Sequence, residues 1–163
     1  MEIVKFVRSF DRSRFDCGKP ELNEWLCTQA GQQERADNTR TFLAIEGDEI
    51  VGYYATTTYR LELDDLAKAF GAGQRRYPVP AVLLARLAVD RRCQGQGVGA
   101  RLLVHALTEI ARASDSVGFE VVVVHAIDRE AVTFYARYGF QHFLDQPLHL
   151  FITTKALRAT VRN

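Results

Sequence analysis

The first part of the chain alternates apolar and polar positions in a way that predicts antiparallel strands. Residues 2–7 alternate weakly and predict a first strand. Residues 41–46 and 49–60 are two longer strand-like stretches, and only Gly47 and Asp48 separate them. A two-residue turn between such stretches is typical of a β-hairpin. Between the first strand and the hairpin, a helix is predicted by residues that recur at helical spacing on one face, namely Leu22, Trp25, Leu26 and Gln29.

The second half of the chain has the pattern of two strand–helix units. Residues 82–89 are apolar except for Arg86, and residues 119–126 contain four consecutive valines, so both predict strands buried on both faces. Apolar residues at helical spacing predict a helix over 97–113. A second helix is expected to begin after Asp128, a plausible N-cap, and to end near Tyr138 and Gly139.

The remaining segments complete a mixed α/β fold. Residues 64–70 predict a short helix, 71–80 a loop, and 140–144 with 148–153 a closing antiparallel pair with Pro147 between them. A single domain over residues 1–163 is therefore expected, with antiparallel and parallel strands in one sheet and helices on both of its faces.

Composition narrows the class of protein. No apolar run is long enough to span a bilayer, and charged residues from Lys5 to Arg12 interrupt any signal-peptide pattern. The three cysteines form no C-x-x-C pair and the four histidines show no metal spacing. A cytoplasmic protein without a structural metal is expected. His125, within the valine strand, is expected to be a core histidine.

Charge is distributed unevenly although the net charge is only +1. Between positions 71 and 101, six arginines accompany one acid, Asp90, which gives a local net charge of +5. Arginine forms bidentate hydrogen bonds with phosphate, so this stretch suits a phosphorylated ligand. A solvated surface with scattered counter-ions is the alternative.

A glycine loop follows the strand over 82–89. Glycines at 95, 97 and 99 leave room for a sharp turn or for a ligand close to the backbone. The first N–H groups of the next helix have no partner within it, and the helix dipole is positive there, so the loop suits a pyrophosphate. A nucleotide P-loop is excluded because the required lysine is absent. A dinucleotide fingerprint is formally present at Gly95, Gly97 and Ala100, but the antiparallel hairpin before it does not fit that fold.

The third interpretation is the pattern Q-x-x-G-x-G at Gln94, Gly97 and Gly99. With the preceding strand, Phe134-Tyr135 and Tyr138-Gly139-Phe140, it resembles the GNAT superfamily of N-acetyltransferases. The resemblance implies a splayed central strand pair. It also implies that Leu87, Ala88 and Val89 pair with the pantetheine arm of acetyl-CoA. The amides that would hold its pyrophosphate belong to Gln94, Gly95, Gln96, Gly97, Val98, Gly99 and Ala100.

The same resemblance assigns catalytic roles. The N–H of Val89 would meet the developing oxyanion, and Tyr135 would protonate the leaving thiolate. Asp128 lies where many GNAT helices carry an asparagine that contacts pantetheine. The sequence offers no convincing general base. A substrate amine of low pKa, such as the α-amine of an aminoacyl ester, would need less help.

Three further segments resemble the TacT-type toxin acetyltransferases of bacterial toxin–antitoxin pairs. They are 15–18 with 22–26, 84–90, and 124–126 leading to Phe134-Tyr135. This implies acetylation of aminoacyl-tRNA, arrest of translation, a ribbon-helix-helix antitoxin that binds DNA, and a homodimer. The candidate tRNA contacts are Arg75, Arg76, Arg86, Arg91, Arg92 and Trp25. Two other functions stay open: a GNAT enzyme acting on a small amine or a protein N-terminus, and a non-catalytic CoA-binding or regulatory partner.

Overall fold

The structure is a computed structural model that describes residues 1–62, 78–144 and 146–161. The helix expected over 64–70, most of the loop expected over 71–80, and Arg75 and Arg76 lie outside the described residues. Within the described ranges, no helix is long and apolar enough to cross a membrane.

The described residues form one mixed sheet with the strand order β1-β2-β3-β4-β5-β7-β6. The strands are β1 Glu2–Lys5, β2 Arg40–Glu46, β3 Glu49–Leu61, β4 Val79–Val89, β5 Val121–His125, β6 Gln141–Phe143 and β7 Gln146–Thr153. The helices are α1 Pro20–Glu24, α2 Ala30–Arg35, α3 Val98–Ala113, α4 Arg129–Ala136 and α5 Thr154–Val161. A π-helical turn, Trp25–Gln29, joins α1 to α2, and a 3₁₀ turn, Arg91–Cys93, follows β4.

The chain divides into two compact units. The first contains Met1–Thr57 and Ala85–Leu107, and the second contains Thr58–Leu84 and Thr108–Asn163. The expectation of one domain over all 163 residues stays a prediction.

The first unit is built on the predicted hairpin. β2 and β3 pair antiparallel with a β-bulge between Ala44 and Ile45, and β1 pairs antiparallel with β2. Two of the four residues predicted on the apolar face of the first helix, Trp25 and Leu26, pack into a core with Phe15, Leu43 and Tyr53. Leu22 is partly buried against this core, whereas Gln29 is exposed. The pattern of the sequence thus predicted the hairpin, and it predicted the helical segment with one residue of its buried face wrong.

The second unit contains the parallel strand pair. β4 pairs with β5 from Ala81 opposite Val121 to Leu84 opposite Val124. The four valines of β5 are all buried, as expected for a strand covered on both faces. β5 also pairs antiparallel with β7, which pairs with β6.

Three expectations need correction. Pro147 lies inside β7 rather than between the closing strands, in a strand that begins at Gln146. β4 is only partly buried, because within 82–89 only Leu84 and Ala88 are fully buried. His125 is an exposed residue that stacks on His149 at 4.0 Å, not a core histidine. The helix α5 was not predicted. It is capped by the Thr153 hydroxyl, which accepts a hydrogen bond from the N–H of Ala156.

Candidate active site

The glycine loop lies where β4 ends and α3 begins. Gly95 and Gly97 have positive φ angles of 77° and 84°, which strain residues with a side chain. A Cβ atom at either position would meet nothing within 4 Å, so open space lies beside the loop. The first amides of α3, from Val98 onward, have no acceptor within the helix. The loop therefore offers a row of N–H donors at the positive end of a helix dipole.

Asp90 anchors the start of this loop. Its side chain is almost fully buried, and its own N–H donates to the carbonyl of Val51 at 2.8 Å. Its carboxylate accepts hydrogen bonds from the N–H and guanidinium of Arg92 and from the N–H of Asp16. Burial alone would raise the pKa of Asp90, but these hydrogen bonds and the Arg92 charge hold that pKa below its ordinary value.

Gln94 holds the loop just before its first glycine. Its side-chain amide donates to the carbonyl of Val89 at 2.9 Å and to the carbonyl of Cys17 at 3.0 Å. The N–H of Arg91 donates to the carbonyl of Asp16 at 2.9 Å. The turn over residues 15–18 thus supports the loop from the side of the N-terminal segment.

That turn is itself fixed by hydrogen bonds. The carboxylate of Asp16 accepts from the N–H of Gly18 and from the side chain of Asn23, and Asn23 in turn accepts from the N–H of Cys17. Gly18 has a positive φ of 90°, and the guanidinium of Arg91 lies 3.2 Å from where its Cβ would be. A larger residue at position 18 would displace Arg91.

Gly52 brings β3 close to the loop. A Cβ atom at this position would lie 2.8 Å from Leu102 and 3.0 Å from the carbonyl oxygen of Ala88. The first distance is shorter than real Cβ atoms show and the second is tighter than most real Cβ contacts, so glycine lets β3 pass the start of α3 and the end of β4 this closely. The sequence analysis did not identify this position.

Tyr135 lies in the second unit, on α4. It is buried, and its ring packs edge-to-face against Phe134 and Phe140. Burial raises the pKa of the Tyr135 phenol, so the side chain keeps its proton at neutral pH. Asp128 is the predicted N-cap of this helix and accepts a hydrogen bond from the N–H of Ala131 at 2.9 Å.

The comparisons with known proteins agree with this geometry. Residues 16–148 match the family described as the acetyltransferase (GNAT) domain. The chain belongs to the GNAT acetyltransferase family. A tRNA-acetylating toxin of Mycobacterium tuberculosis is 36% identical over 155 residues, which is 93% of this chain and 90% of that toxin.

Two solved structures extend the GNAT match to the whole fold. The structure of AtaT complexed with acetyl-methionyl-tRNAfMet has a TM-score of 0.84 at 31% identity and covers 98% of each chain. A tyrosine-to-phenylalanine mutant of the AtaT toxin, bound to the C-terminus of the antitoxin AtaR and acetyl-CoA, has a TM-score of 0.83 at 30% identity. That match covers 99% of this chain and 98% of the other.

This GNAT protein is an acetyl-CoA-dependent N-acetyltransferase, and its glycine loop fits the donor. The two positive-φ glycines keep Cβ atoms out of the space that a diphosphate would need. Past Leu84, β4 continues through Leu87, Ala88 and Val89 beyond its parallel register with β5. Such a segment can pair with an extended ligand as an added strand would. Among the described residues, no group of three or more metal-binding side chains could hold a metal ion.

The structure assigns different surroundings to the arginines proposed from the sequence. Arg92 is held by Asp90 and Glu49, which raise the pKa of its guanidinium. Arg91 is largely exposed, and its Nε lies 3.8 Å from a carboxylate oxygen of Asp16. Arg86 lies over the ring of Trp25, which is itself buried. Roles for these residues in tRNA binding stay predictions.

The structural roles of Asp90 and Gln94 were missed in the sequence. The sequence indicated Gln94 as a ligand contact and Asp90 only as an isolated acid among arginines. Both side chains bond to the turn over 15–18, more than seventy positions away, and local patterns do not report such contacts. The only local signal was an isolated acid at the end of an apolar strand.

Proposed function

We propose that this chain is a toxin that transfers acetyl from acetyl-CoA to the α-amino group of aminoacyl-tRNA and thereby stops translation. The observation that carries the proposal is the match along the whole chain to AtaT, a structure of which contains acetyl-methionyl-tRNAfMet. The 36% identity with a tRNA-acetylating toxin supports the same substrate class.

The donor is held by the first unit in this proposal. The amides of Gln94, Gly95, Gln96, Gly97, Val98, Gly99 and Ala100 bind the pyrophosphate. The backbone of Leu87, Ala88 and Val89 pairs with pantetheine. The N–H of Val89 donates to the thioester oxygen as negative charge develops there, and a fixed donor of this kind stabilises the transition state. Asp128 is proposed to contact pantetheine in addition to capping α4.

Tyr135 is the proposed general acid. Its phenol carries a proton at neutral pH because burial disfavours the phenolate. In the reaction, the amine nitrogen bonds to the acetyl carbon, the carbon–sulfur bond breaks, and Tyr135 donates its proton to the thiolate. The proton released by the amine returns to Tyr135, directly or through solvent, and restores the phenol.

The choice of an α-amine follows from its acidity. An α-amino group has a pKa near 8 and a lysine side chain near 10.4, so near neutral pH the neutral fraction of the α-amine is about 200 times larger. A neutral amine attacks without a strong base. An acceptor amine that is already partly neutral therefore suits this site, because the sequence indicated no convincing general base.

The polyanionic acceptor is proposed to contact the arginines. Arg91 and Arg92 lie beside the glycine loop, Arg86 lies on β4, and Arg75 and Arg76 belong to the segment outside the described residues. Phosphate contacts of this kind position an RNA without reading its sequence. Trp25 is proposed to act through Arg86, since its ring lies against that guanidinium.

A cognate antitoxin is the proposed protein partner. The structure of AtaT with the C-terminus of AtaR supports an antitoxin, and the ribbon-helix-helix type, DNA binding through it and a homodimer of the toxin follow from the TacT-type resemblance. The cytoplasm, where charged tRNA occurs, is the proposed location.

Mass analysis of charged tRNA tests the substrate. The protein is incubated with acetyl-CoA and bulk aminoacyl-tRNA. The ester bond is then hydrolysed, and the released amino acids are identified by mass spectrometry. N-acetylated amino acids should form with the wild type and not with uncharged tRNA. Release of unmodified amino acids only would contradict the proposed function.

A further inference from the structure

Arg86 is the outer member of a three-residue stack in the first unit. Its guanidinium carbon lies 4.2 Å from the centre of the Trp25 ring. Trp25 stacks in turn on Tyr53, with ring centres 5.9 Å apart and planes within 9°. The Tyr53 hydroxyl donates to the carbonyl of Leu22 at 2.7 Å, which ties the stack to α1. The guanidinium therefore rests on a rigid aromatic support.

Among the described residues, Arg86 is a half-buried cation without an acidic partner. Within residues 1–62, 78–144 and 146–161, no carboxylate oxygen lies within 4 Å of its guanidinium, whereas Arg92, Arg40 and Arg112 each pair with at least one carboxylate. Burial lowers the pKa of Arg86, which reflects the energetic penalty of holding the charge there. Stacking uses only the face of the guanidinium, so its N–H edge stays able to bind an oxyanion in bidentate fashion.

The position of Arg86 along β4 sets a distance to the reaction. It lies three residues before Val89, or about 10 Å along an extended strand. Ala88, on the same face of the strand as Arg86, packs into the core that contains Trp25 and Tyr53. The anion that Arg86 binds should therefore lie about one nucleotide's length from the acetyl group.

An aminoacyl-tRNA has an anion at such a distance. From the α-amine of the amino acid to the phosphorus on the 5′ side of the terminal adenosine, the path spans about eight covalent bonds, or roughly 7–10 Å. We propose that Arg86, held on Trp25, binds this phosphodiester and so fixes the terminal nucleotide. This assignment of one phosphate to one side chain rests on the proposed function and adds a specific contact to it.

Two short acceptor substrates isolate the contribution of this phosphate from that of the rest of the tRNA. One is adenosine carrying an amino acid at its 3′ position through a stable amide, and the other is the cytidylyl-adenosine dinucleotide carrying the same group. A panel of amino acids is tested on both. The wild type should acetylate the dinucleotide at least about tenfold more efficiently by kcat/KM, as expected for one charge-assisted contact.

Arg86→Met should reduce that preference to less than about threefold. Arg86→Lys, which keeps the charge but cannot bind an oxyanion in bidentate fashion, should keep only part of the preference. Arg112→Met, which removes an exposed arginine on α3, should keep the full preference. An Arg86→Met protein that retains the preference, or a wild type that shows none, would overturn the inference.

Binding without reaction provides a second measurement. Trp25 is the only tryptophan, so its fluorescence reports on the ring beneath Arg86. Uncharged cytidylyl-adenosine should change this emission at concentrations where adenosine does not, and Arg86→Met should abolish the difference. A wild type that leaves charged tRNA unmodified but shows this response disproves the proposed function and supports the phosphate site. Acetylation of tRNA without the response disproves the phosphate site alone.

Discussion

The carboxylate of Asp90 accepts a hydrogen bond from the backbone N–H of Asp16 at 3.1 Å, across 74 positions of sequence. Asp90 follows the last residue of β4, and Asp16 belongs to the turn that precedes α1. The start of the glycine loop is thus held by a segment that is distant in the sequence. Residues that touch no ligand are therefore expected to control the binding of acetyl-CoA.

Asp90→Asn should destabilise the protein by about 2–3 kcal/mol at pH 7, since it removes a buried acceptor of charged hydrogen bonds. The pKa of Asp90 is lowered in the folded protein, so this contribution is present above its unfolded pKa, near 3.9, and is lost as the pH falls further. Urea unfolding at pH 7 and pH 3 measures it. The difference in the free energy of unfolding between wild type and Asp90→Asn should be smaller at pH 3 than at pH 7. Asp48→Asn, in an exposed turn, should have the free energy of unfolding of the wild type at both pH values.

Gln94→Ala should raise the KM for acetyl-CoA by about 10-fold and change kcat little, because two hydrogen bonds that orient the loop are lost. Steady-state kinetics with varied acetyl-CoA measure this. Gln32→Ala, on the exposed side of α2, is the matched control. A variant in which only kcat fell would assign Gln94 to the chemical step instead.

Gly97→Ala should weaken acetyl-CoA binding while costing about 1 kcal/mol of stability, because its φ of 84° disfavours any side chain. The added methyl group meets no atom of the protein, so the effect arises from the backbone and from the ligand. Isothermal titration with CoA measures affinity. Gly118→Ala, which also has open space but no positive φ, should bind CoA like the wild type.

Tyr135→Phe should lower kcat by about 100-fold or more and leave the KM for acetyl-CoA unchanged, as expected for loss of a general acid. Burial raises the pKa of Tyr135, so the wild-type rate should not fall through loss of its proton below about pH 10. Tyr138→Phe, two residues beyond the end of α4, serves as the control. Equal loss in both variants would indicate damage to packing rather than to proton transfer.

Local patterns predicted most elements of the fold. The Gly47-Asp48 turn, the valines of β5 and the N-cap Asp128 each act within a few residues, and all three predictions were confirmed. The helix α5 was missed although Thr153 and the buried Leu157 carry its signal, because its eight residues follow directly on β7. The π-helical turn at Trp25–Gln29 has no comparable signature.

The candidate site was less predictable because its supports are distant in sequence. The glycine pattern indicated the loop, but nothing near Asp90 or Gln94 indicates that both bond to the turn over 15–18. Arg86 was recognised as an unusual charge in an apolar strand. Its support, Trp25, lies 61 positions earlier in the chain, and only the fold brings the two together.

The acceptor amine is tested most directly by comparing two substrates under one condition. The kcat/KM for acetylation of aminoacyl-tRNA is measured beside that for a lysine-containing peptide with a blocked N-terminus, at pH 7.5 and saturating acetyl-CoA. The α-amine of the charged tRNA should be favoured by at least about 100-fold, because a larger fraction of it is neutral and because the tRNA phosphates are expected to bind the arginines. Equal efficiency on the lysine peptide would contradict the proposed function.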